Sequence, residues 1–417
     1  MNLEIISIGQ EVLIGQTINT SAAWISQQLG SIGVSVSRIT TIPDSGKAIR
    51  ETLTESFSRV NYVVVTGGLG PTRDDVTKKA ICQYFETELI QDDEVLQDVM
   101  ALFAKRGLPI TDLNRQQALV PKMARVLRNS IGTAPGLWLE KDEKVCVALP
   151  GVPYEMKNLM TGQVIPSLKE RIGGNPIIHR TIHTEGMGES FLAAKISEWE
   201  NNLPPFVSLA YLPSPGIVKL RLSAKETNGV NMEAKLKQLE IELVSLIPDL
   251  VWGFDNDTLE GLIGQELVRM RKTISTAESC TGGYVAHKIT SIAGSSRYFT
   301  GGIIAYSNQL KTDILRVESC LIDKYGAVSK EVVEEMARNG RKISGSDYCI
   351  ATSGIAGPDG GTPTKPVGTT WIAVAAANWI ESKLLHLGDN REINIIKTTV
   401  AALSMAKKII ELNIDKE

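Results

Sequence analysis

Short apolar runs that stop at a glycine or small-residue turn, then pass into segments of helical spacing, recur along this chain and leave few folds open. Leu3 to Ile8 stops at Gly9 and is followed by a helix-like segment from Ile18 to Leu29. Tyr62 to Val65 stops before Gly67-Gly68 and is followed by Val76 to Phe85. Runs this short and this continuously apolar suit strands buried on both faces, as in parallel sheets covered by helices. The expectation is an α/β protein that begins with a doubly wound parallel sheet. At roughly 100 to 200 residues per domain, a chain of 417 residues holds two to four domains.

A net charge of -3 gives no chain-wide attraction for a polyanion, so nucleic acid is not an expected partner. Cys82, Cys146, Cys280, Cys320 and Cys349 form no C-x-x-C pair, which argues against a disulfide framework or structural zinc and fits a reducing cytoplasm. Met1 to Gly9 reads as a strand entering a turn rather than a signal peptide. No apolar run approaches the roughly 18 residues that span a bilayer. A soluble, cytoplasmic protein without a membrane partner is expected.

In doubly wound sheets the carboxyl ends of the strands carry the ligand site. The loop from Thr66 to Thr77 lies at that edge and combines glycines, among them Gly68 and Gly70, with Arg73, Asp74 and Asp75 at a helix start. It has neither the Lys-Ser/Thr of a Walker loop nor dinucleotide-fingerprint spacing. One helix cap needs one aspartate, whereas two carboxylates and a cation suit a hard divalent metal on phosphate oxygens. Glu11 and Asp44 add carboxylates at the same edge. Asn114-Arg115-Gln116, Ile131 to Gly136 and Leu149 to Glu155 are further turns that could line the pocket, with Glu155 opening the next helix.

From about Pro176 to Pro248 the pattern changes to a small α+β module, with strands expected at 177–184, 207–212 and 217–222 and helices at 191–199 and 232–246. Gly186-Met187-Gly188 lacks the G-x-x-G spacing that clamps RNA, and Glu185 and Glu189 repel phosphate, so a connector is expected. His179 and His183 flank Arg180 without a third acidic ligand and read as packed or solvated side chains.

In the last part, Asn256-Asp257 is expected to cap a helix through Met270, and Thr273 to Thr276 to form a strand that runs into the turn Ala277 to Gly283. Ser279 then stands where turn N–H groups converge. It can attack a carbonyl while the N–H groups of Cys280, Thr281, Gly282 and Gly283 hold the oxyanion, given a base. Lys311 is the candidate base, since a desolvated ammonium loses its proton more easily, and Tyr306 can relay a proton if a helix starts between them. No histidine has a cue linking it to Ser279; His287 packs on the following helix. Cys280 stays open as a rival nucleophile. The glycine-rich stretch from Ala351 to Gly361 follows the apolar residues Tyr348 to Ile350, with Thr352 and Ser353 available to a phosphate or ribose and Gly354 and Gly357 allowing close approach.

These motifs carry a family resemblance. G-Q-E-V-L-I-G-Q from Gly9, T-G-G-L-G-P-T-R-D-D-V-T from Thr66, G-T-A-P-G from Gly132 and L-P-G-V-P-Y-E from Leu149 resemble the N-terminal domain of the CinA family, competence/damage-inducible protein A. The resemblance implies a molybdopterin-binding-like fold with metal-dependent ADP-ribose pyrophosphatase activity. Asp75 and Glu11 match the motif acids, Asp74 stands beside them, and the implied metal is Mg2+ or Co2+, with K+ as a further ion. Ser21 departs from the asparagine expected after Thr20. The middle module resembles the family's KH-like domain.

T-A-E-S-C-T-G-G from Thr276, the segment Gly301 to Lys311, T-S-G-I-A-G-P-D-G-G from Thr352 and K-P-V-G from Lys365 resemble the CinA C-terminal domain. That implies hydrolysis of nicotinamide mononucleotide to nicotinate mononucleotide and ammonia, with Ser279 as nucleophile, Tyr306 and Lys311 moving the proton, and no cofactor. The implied domains are 1–170, 176–248 and 256–414, and a homodimer is implied as well. Two other readings stay open. Only the C-terminal domain works and the first binds a nucleotide or pterin, or the whole is a non-enzymatic nucleotide-binding partner in DNA uptake or damage response.

Overall fold

The computed structural model describes residues 1–72, 75–171, 177–225 and 231–412. The chain divides into two compact units, residues 1–179 with 224–232, and residues 180–223 with 233–417. In the first, six strands lie in the order Ser35–Ile42, Asn2–Ile8, Tyr62–Thr66, Lys144–Leu149, Gly136–Lys141, Arg125–Leu127. The first four are parallel and the last two antiparallel. Separate apolar clusters cover the two faces, one around Leu3, Ile5, Val64 and Trp138, the other around Ile6, Val63, Val65 and Leu137. Successive residues of one strand thus serve opposite cores, which is why these strands read as unbroken apolar runs.

A four-stranded sheet follows in the order Val207–Ser214, Ile217–Lys225, Ile177–Glu185, Val251–Phe254. Its last strand lies outside the expected boundary at 248: Val251 pairs antiparallel with Thr184 and Phe254 with Ile182, so the module needs these residues to complete its sheet. His183 is packed as expected, its ring edge-on to Trp252 at 4.7 Å and its Nε2 2.9 Å from the Asp255 carbonyl. Arg180 is fixed between Glu240 at 3.0 Å and Asp255 at 2.6 Å.

The remainder of the second unit is built on a five-stranded sheet in the order Phe299–Ile304, Ile274–Glu278, Tyr348–Gly354, Thr369–Ala375, Ile380–His386. The first three strands are parallel and the others antiparallel. Helices Leu259–Met270 and Arg391–Leu412 share one apolar cluster with it, and Lys330–Ser344 belongs to another. Leu259–Met270 is capped by Thr258, whose side chain accepts from the Gly261 N–H at 3.1 Å. The expected cap, Asp257, instead turns back to accept from Phe254 N–H at 2.8 Å. No helix among the described residues is long and apolar enough to cross a membrane.

Candidate active site

Ser279 follows directly on the strand Ile274–Glu278, which runs two residues beyond the expected end at Thr276. The sheet holds this end on both sides. Ser279 N–H donates to Thr352 O at 3.0 Å, and Ala305 N–H donates to Glu278 O at 2.8 Å. The chain then turns through Gly282 and Gly283, at φ +60° and +98°, into the helix Tyr284–Thr290. Both glycines occupy the left-handed region that residues with a Cβ disfavour.

Lys311 comes from the short helix Asn308–Asp313, capped by Ser307, which accepts from Leu310 N–H at 3.1 Å. The helix begins between Tyr306 and Lys311, as their spacing requires. Lys311 is only 2% exposed, and its Nζ lies 3.1 Å from Ser279 Oγ, 2.9 Å from Ala305 O and 3.4 Å from Tyr306 O. Among the described residues no carboxylate is paired with it, and burial pulls its pKa below the ordinary lysine value, with a smaller opposing influence from Cys280. A neutral amine has two N–H bonds and one lone pair. The two carbonyls can take the N–H bonds, which leaves the lone pair for the serine hydroxyl.

Tyr306 has a different position from its partner lysine. It is exposed, and its hydroxyl accepts from Arg391 Nη2 at 2.7 Å, while Arg391 Nη1 donates to Gly357 O at 2.9 Å. The tyrosine expected to relay a proton with Lys311 thus holds its hydroxyl against an exposed guanidinium, a group that can meet a substrate's negative charge. Arg391 is absent from the sequence reading because no local pattern ties it to a tyrosine 85 residues away.

Three expectations about this site need correction. Cys280 is disfavoured as a rival nucleophile, because burial pushes its thiol up to about 12 and leaves little thiolate. The N–H groups of Gly282 and Gly283 are not free for an oxyanion, since they donate to Ser279 O at 3.1 Å and to Glu278 Oε2 at 3.0 Å. Among the described residues the N–H groups of Cys280 and Thr281 have no such acceptor. Thr352 and Ser353 do not reach a ligand through their side chains, because the strand continues to Gly354 and buries both. Thr352 Oγ1 is 2.7 Å from Thr281 Oγ1, and Ser353 Oγ donates to Ala327 O at 2.7 Å. Gly354 fits against Thr370, and a Cβ on Gly357 would lie 2.6 Å from Val367 Cγ1.

In the first unit, the turns after the parallel strands meet at one edge. Gly67 N–H donates to Leu149 O at 3.1 Å and Gly9 N–H to Ile42 O at 3.1 Å. Gly67 and Gly68 take φ +109° and +65°, and Thr77 ties the following helix to the loop by donating from Oγ1 to Gly67 O at 3.1 Å. Asp75 folds over Gly70 and accepts from Thr72 N–H at 2.9 Å. Glu11 lies over Gly9 in the same manner.

Asp44 accepts from Gln10 N–H at 2.9 Å, and Asn114 accepts from Thr111 N–H at 3.0 Å as the third residue of the capping box that Thr111 opens. Glu155 is buried, accepts from Asn129 Nδ2 at 2.7 Å, and has its pKa raised by burial. Lys78, unnoticed in the sequence, is buried one turn after Asp75; its Nζ donates to Gln117 O at 2.9 Å and burial lowers its pKa to about 8. Asp74 and Arg73 lie outside the described residues. The hard oxygens of Glu11 and Asp75 suit a divalent cation, yet among the described residues no three side chains form a metal-holding group.

The chain matches known proteins along its length. Residues 4–170 match the family described as a probable molybdopterin binding domain, residues 179–253 the KH domain of damage-inducible protein CinA, and residues 256–410 the CinA C-terminal domain. A CinA-like protein of Cytophaga hutchinsonii is 46% identical over 97% of this chain and 97% of its own. One from Flavobacterium psychrophilum is 44% identical over 100% of both chains. A solved structure of CinA from Thermoplasma acidophilum, described as of unknown function, is 32% identical with a TM-score of 0.37, covering 40% of this chain and 96% of that one.

Proposed function

The chain belongs to the CinA family, and from that premise we propose that its C-terminal domain deamidates nicotinamide mononucleotide through Ser279 and a neutral Lys311. The observation that carries this reading is the buried amine 3.1 Å from Ser279 Oγ with two backbone carbonyls beside it. Ser279 Oγ attacks the carboxamide carbon while its proton passes to Lys311 Nζ. The N–H groups of Cys280 and Thr281 receive the oxyanion, the arrangement in which the residue after a nucleophile supplies a donor. The lysine ammonium then gives its proton to the departing amine, ammonia leaves, and an ester remains on Ser279. Water attacks that ester with Lys311 again taking the proton, and nicotinate mononucleotide is released. At the rim, Arg391 meets the substrate's phosphate and Tyr306 orients the guanidinium.

For the N-terminal domain the proposal is a metal-dependent ADP-ribose pyrophosphatase. A divalent ion, Mg2+ or Co2+, would neutralise diphosphate oxygens. Glu11 and Asp75 are the carboxylates to hold it, and Lys78 adds a buried nitrogen near Asp75. The homodimer and the cytoplasmic location belong to the same proposal.

Ammonia release from nicotinamide mononucleotide, measured with wild-type protein and Ser279→Ala, tests the deamidase. Turnover by the wild type and a loss on the order of 10^3-fold or more in the variant are expected. Unchanged release in Ser279→Ala overturns the serine mechanism. Nucleotide-dependent melting with no turnover favours a binding protein instead.

A further inference from the structure

One buried acid beside the nucleophile takes no part in the chemistry above. Glu278 ends the serine strand with no measurable exposure. Its Oε2 accepts from Thr281 Oγ1 at 2.7 Å, Gly283 N–H at 3.0 Å and Val285 N–H at 3.1 Å, and its Oε1 accepts from Ala286 N–H at 2.8 Å. A carboxylate out of water requires such a shell of donors, and bonds to an ionised acceptor are the stronger kind. All four donors belong to the eight residues that follow it.

Donor accounting extends the network to the far side of the nucleophile. The single hydroxyl proton of Thr281 goes to Glu278 Oε2, so the Thr352 hydroxyl donates to Thr281 across their 2.7 Å contact. Thr352 O in turn accepts the Ser279 N–H at 3.0 Å. Glu278, Thr281 and Thr352 thus close a ring around the serine backbone. Within the turn, Ser279 O and Glu278 consume the N–H groups of Gly282 and Gly283; among the described residues the Thr281 N–H has no acceptor and the Cys280 N–H meets only its own thiol.

We propose that Glu278 is the positioning residue of the oxyanion site: its carboxylate fixes the turn so that the N–H groups of Cys280 and Thr281 face the reacting carbonyl. The proposal rests on the serine-amidase reading and assigns a role to a residue that touches no substrate. It also explains why a strand ends in a buried acid rather than in another apolar residue. Glutamine has the same shape but sets an NH2 group against backbone N–H donors, so the carboxylate's shell of donors loses at least one bond.

The test compares full-length Glu278→Gln, Thr281→Val and Thr281→Ser with wild type, using kcat and KM for nicotinamide mononucleotide, the pH profile, and the rate at which a fluorophosphonate probe labels Ser279. In Glu278→Gln, kcat is expected to fall on the order of 10^2-fold with KM within about 3-fold, the scale of losing an oxyanion donor. The acid limb of the profile keeps its midpoint, because Lys311 is untouched. Thr281→Val falls part of the way and Thr281→Ser restores activity. Wild-type kcat in a folded Glu278→Gln, a loss confined to KM, or a moved acid limb overturns the proposal. If Glu278→Gln does not fold, the Thr281 pair decides: equal activity of valine and serine variants overturns it. If the wild type releases no ammonia, the deamidase reading fails on its own, and probe labelling slowed in Glu278→Gln still supports the positioning role. A wild-type Ser279 that resists the probe overturns both.

Discussion

Lysine 311 acts as a base only when neutral, and burial favours that state by lowering its pKa. The sign follows directly. A lowered pKa exposes the lone pair at lower pH, so kcat/KM for deamidation rises with pH along an acid limb whose midpoint lies below the ordinary value of about 10.4. Arginine keeps the charge and much of the reach but cannot release its proton, so Lys311→Arg is expected to lose on the order of 10^3-fold in kcat, and steady-state ammonia release measures it. Activity retained by the arginine variant would mean that a fixed cation suffices. Cys280 gives the complementary case. Its thiol is buried and pushed up to about 12, whereas Cys320 is exposed. Peptide mapping after iodoacetamide is expected to find Cys320 modified and Cys280 intact in the folded chain, with deamidation unaffected. Inhibition that tracks alkylation of Cys280 would reopen it as a nucleophile.

The serine strand is held from behind by the helix Lys330–Ser344. Against this strand and its neighbour Gly340 leaves no room for a side chain: a Cβ there would sit 2.8 Å from Cys349 Sγ and 3.0 Å from Ala277 Cβ. Gly340→Ala gains helix propensity yet forces these elements apart, and overpacking of this kind costs about 1–3 kcal/mol. Thermal unfolding should show a lower midpoint, together with weaker deamidation, since Ala277 is two residues from the nucleophile. A midpoint at or above wild type would show that the interface yields without strain. The same elements show what the sequence can and cannot reveal. Leu3 to Ile8 and Tyr62 to Val65 are legible because strands buried on both faces stay apolar throughout. The serine strand is legible only to Thr276, because Glu278 looks like a solvated residue until the turn that satisfies it is known. Thr352 and Ser353 read as loop residues because glycines follow them, although the strand carries both to opposite faces, as alternation demands. Val251–Phe254 is a strand by virtue of Ile177–Glu185, a partner far away in the chain. Ser279 and Lys311 could be paired from local turn and helix-start signals, whereas Arg391 reaches Tyr306 only through the assembled sheet.

For the molecule as a whole, the two proposed activities draw on unlike chemistry and should separate under one treatment. Deamidation needs a nucleophile and a base, and Ser279 and Lys311 supply both from the chain itself. Cleavage of a diphosphate needs charge neutralised on several oxygens, a task for a divalent ion held by hard carboxylates such as Glu11 and Asp75. Exhaustive chelation is therefore expected to abolish ADP-ribose cleavage while nicotinamide mononucleotide deamidation continues within about 2-fold, and Mg2+ or Co2+ should restore the first reaction alone. Asp75→Asn should reproduce the chelated phenotype without chelator, lowering cleavage on the order of 10^2-fold or more and leaving ammonia release intact. Both rates measured on one preparation decide the matter. Loss of deamidation on chelation would place a metal in the serine reaction. Metal-dependent cleavage that survives in Asp75→Asn would move the ion to carboxylates other than those of the glycine-rich loop.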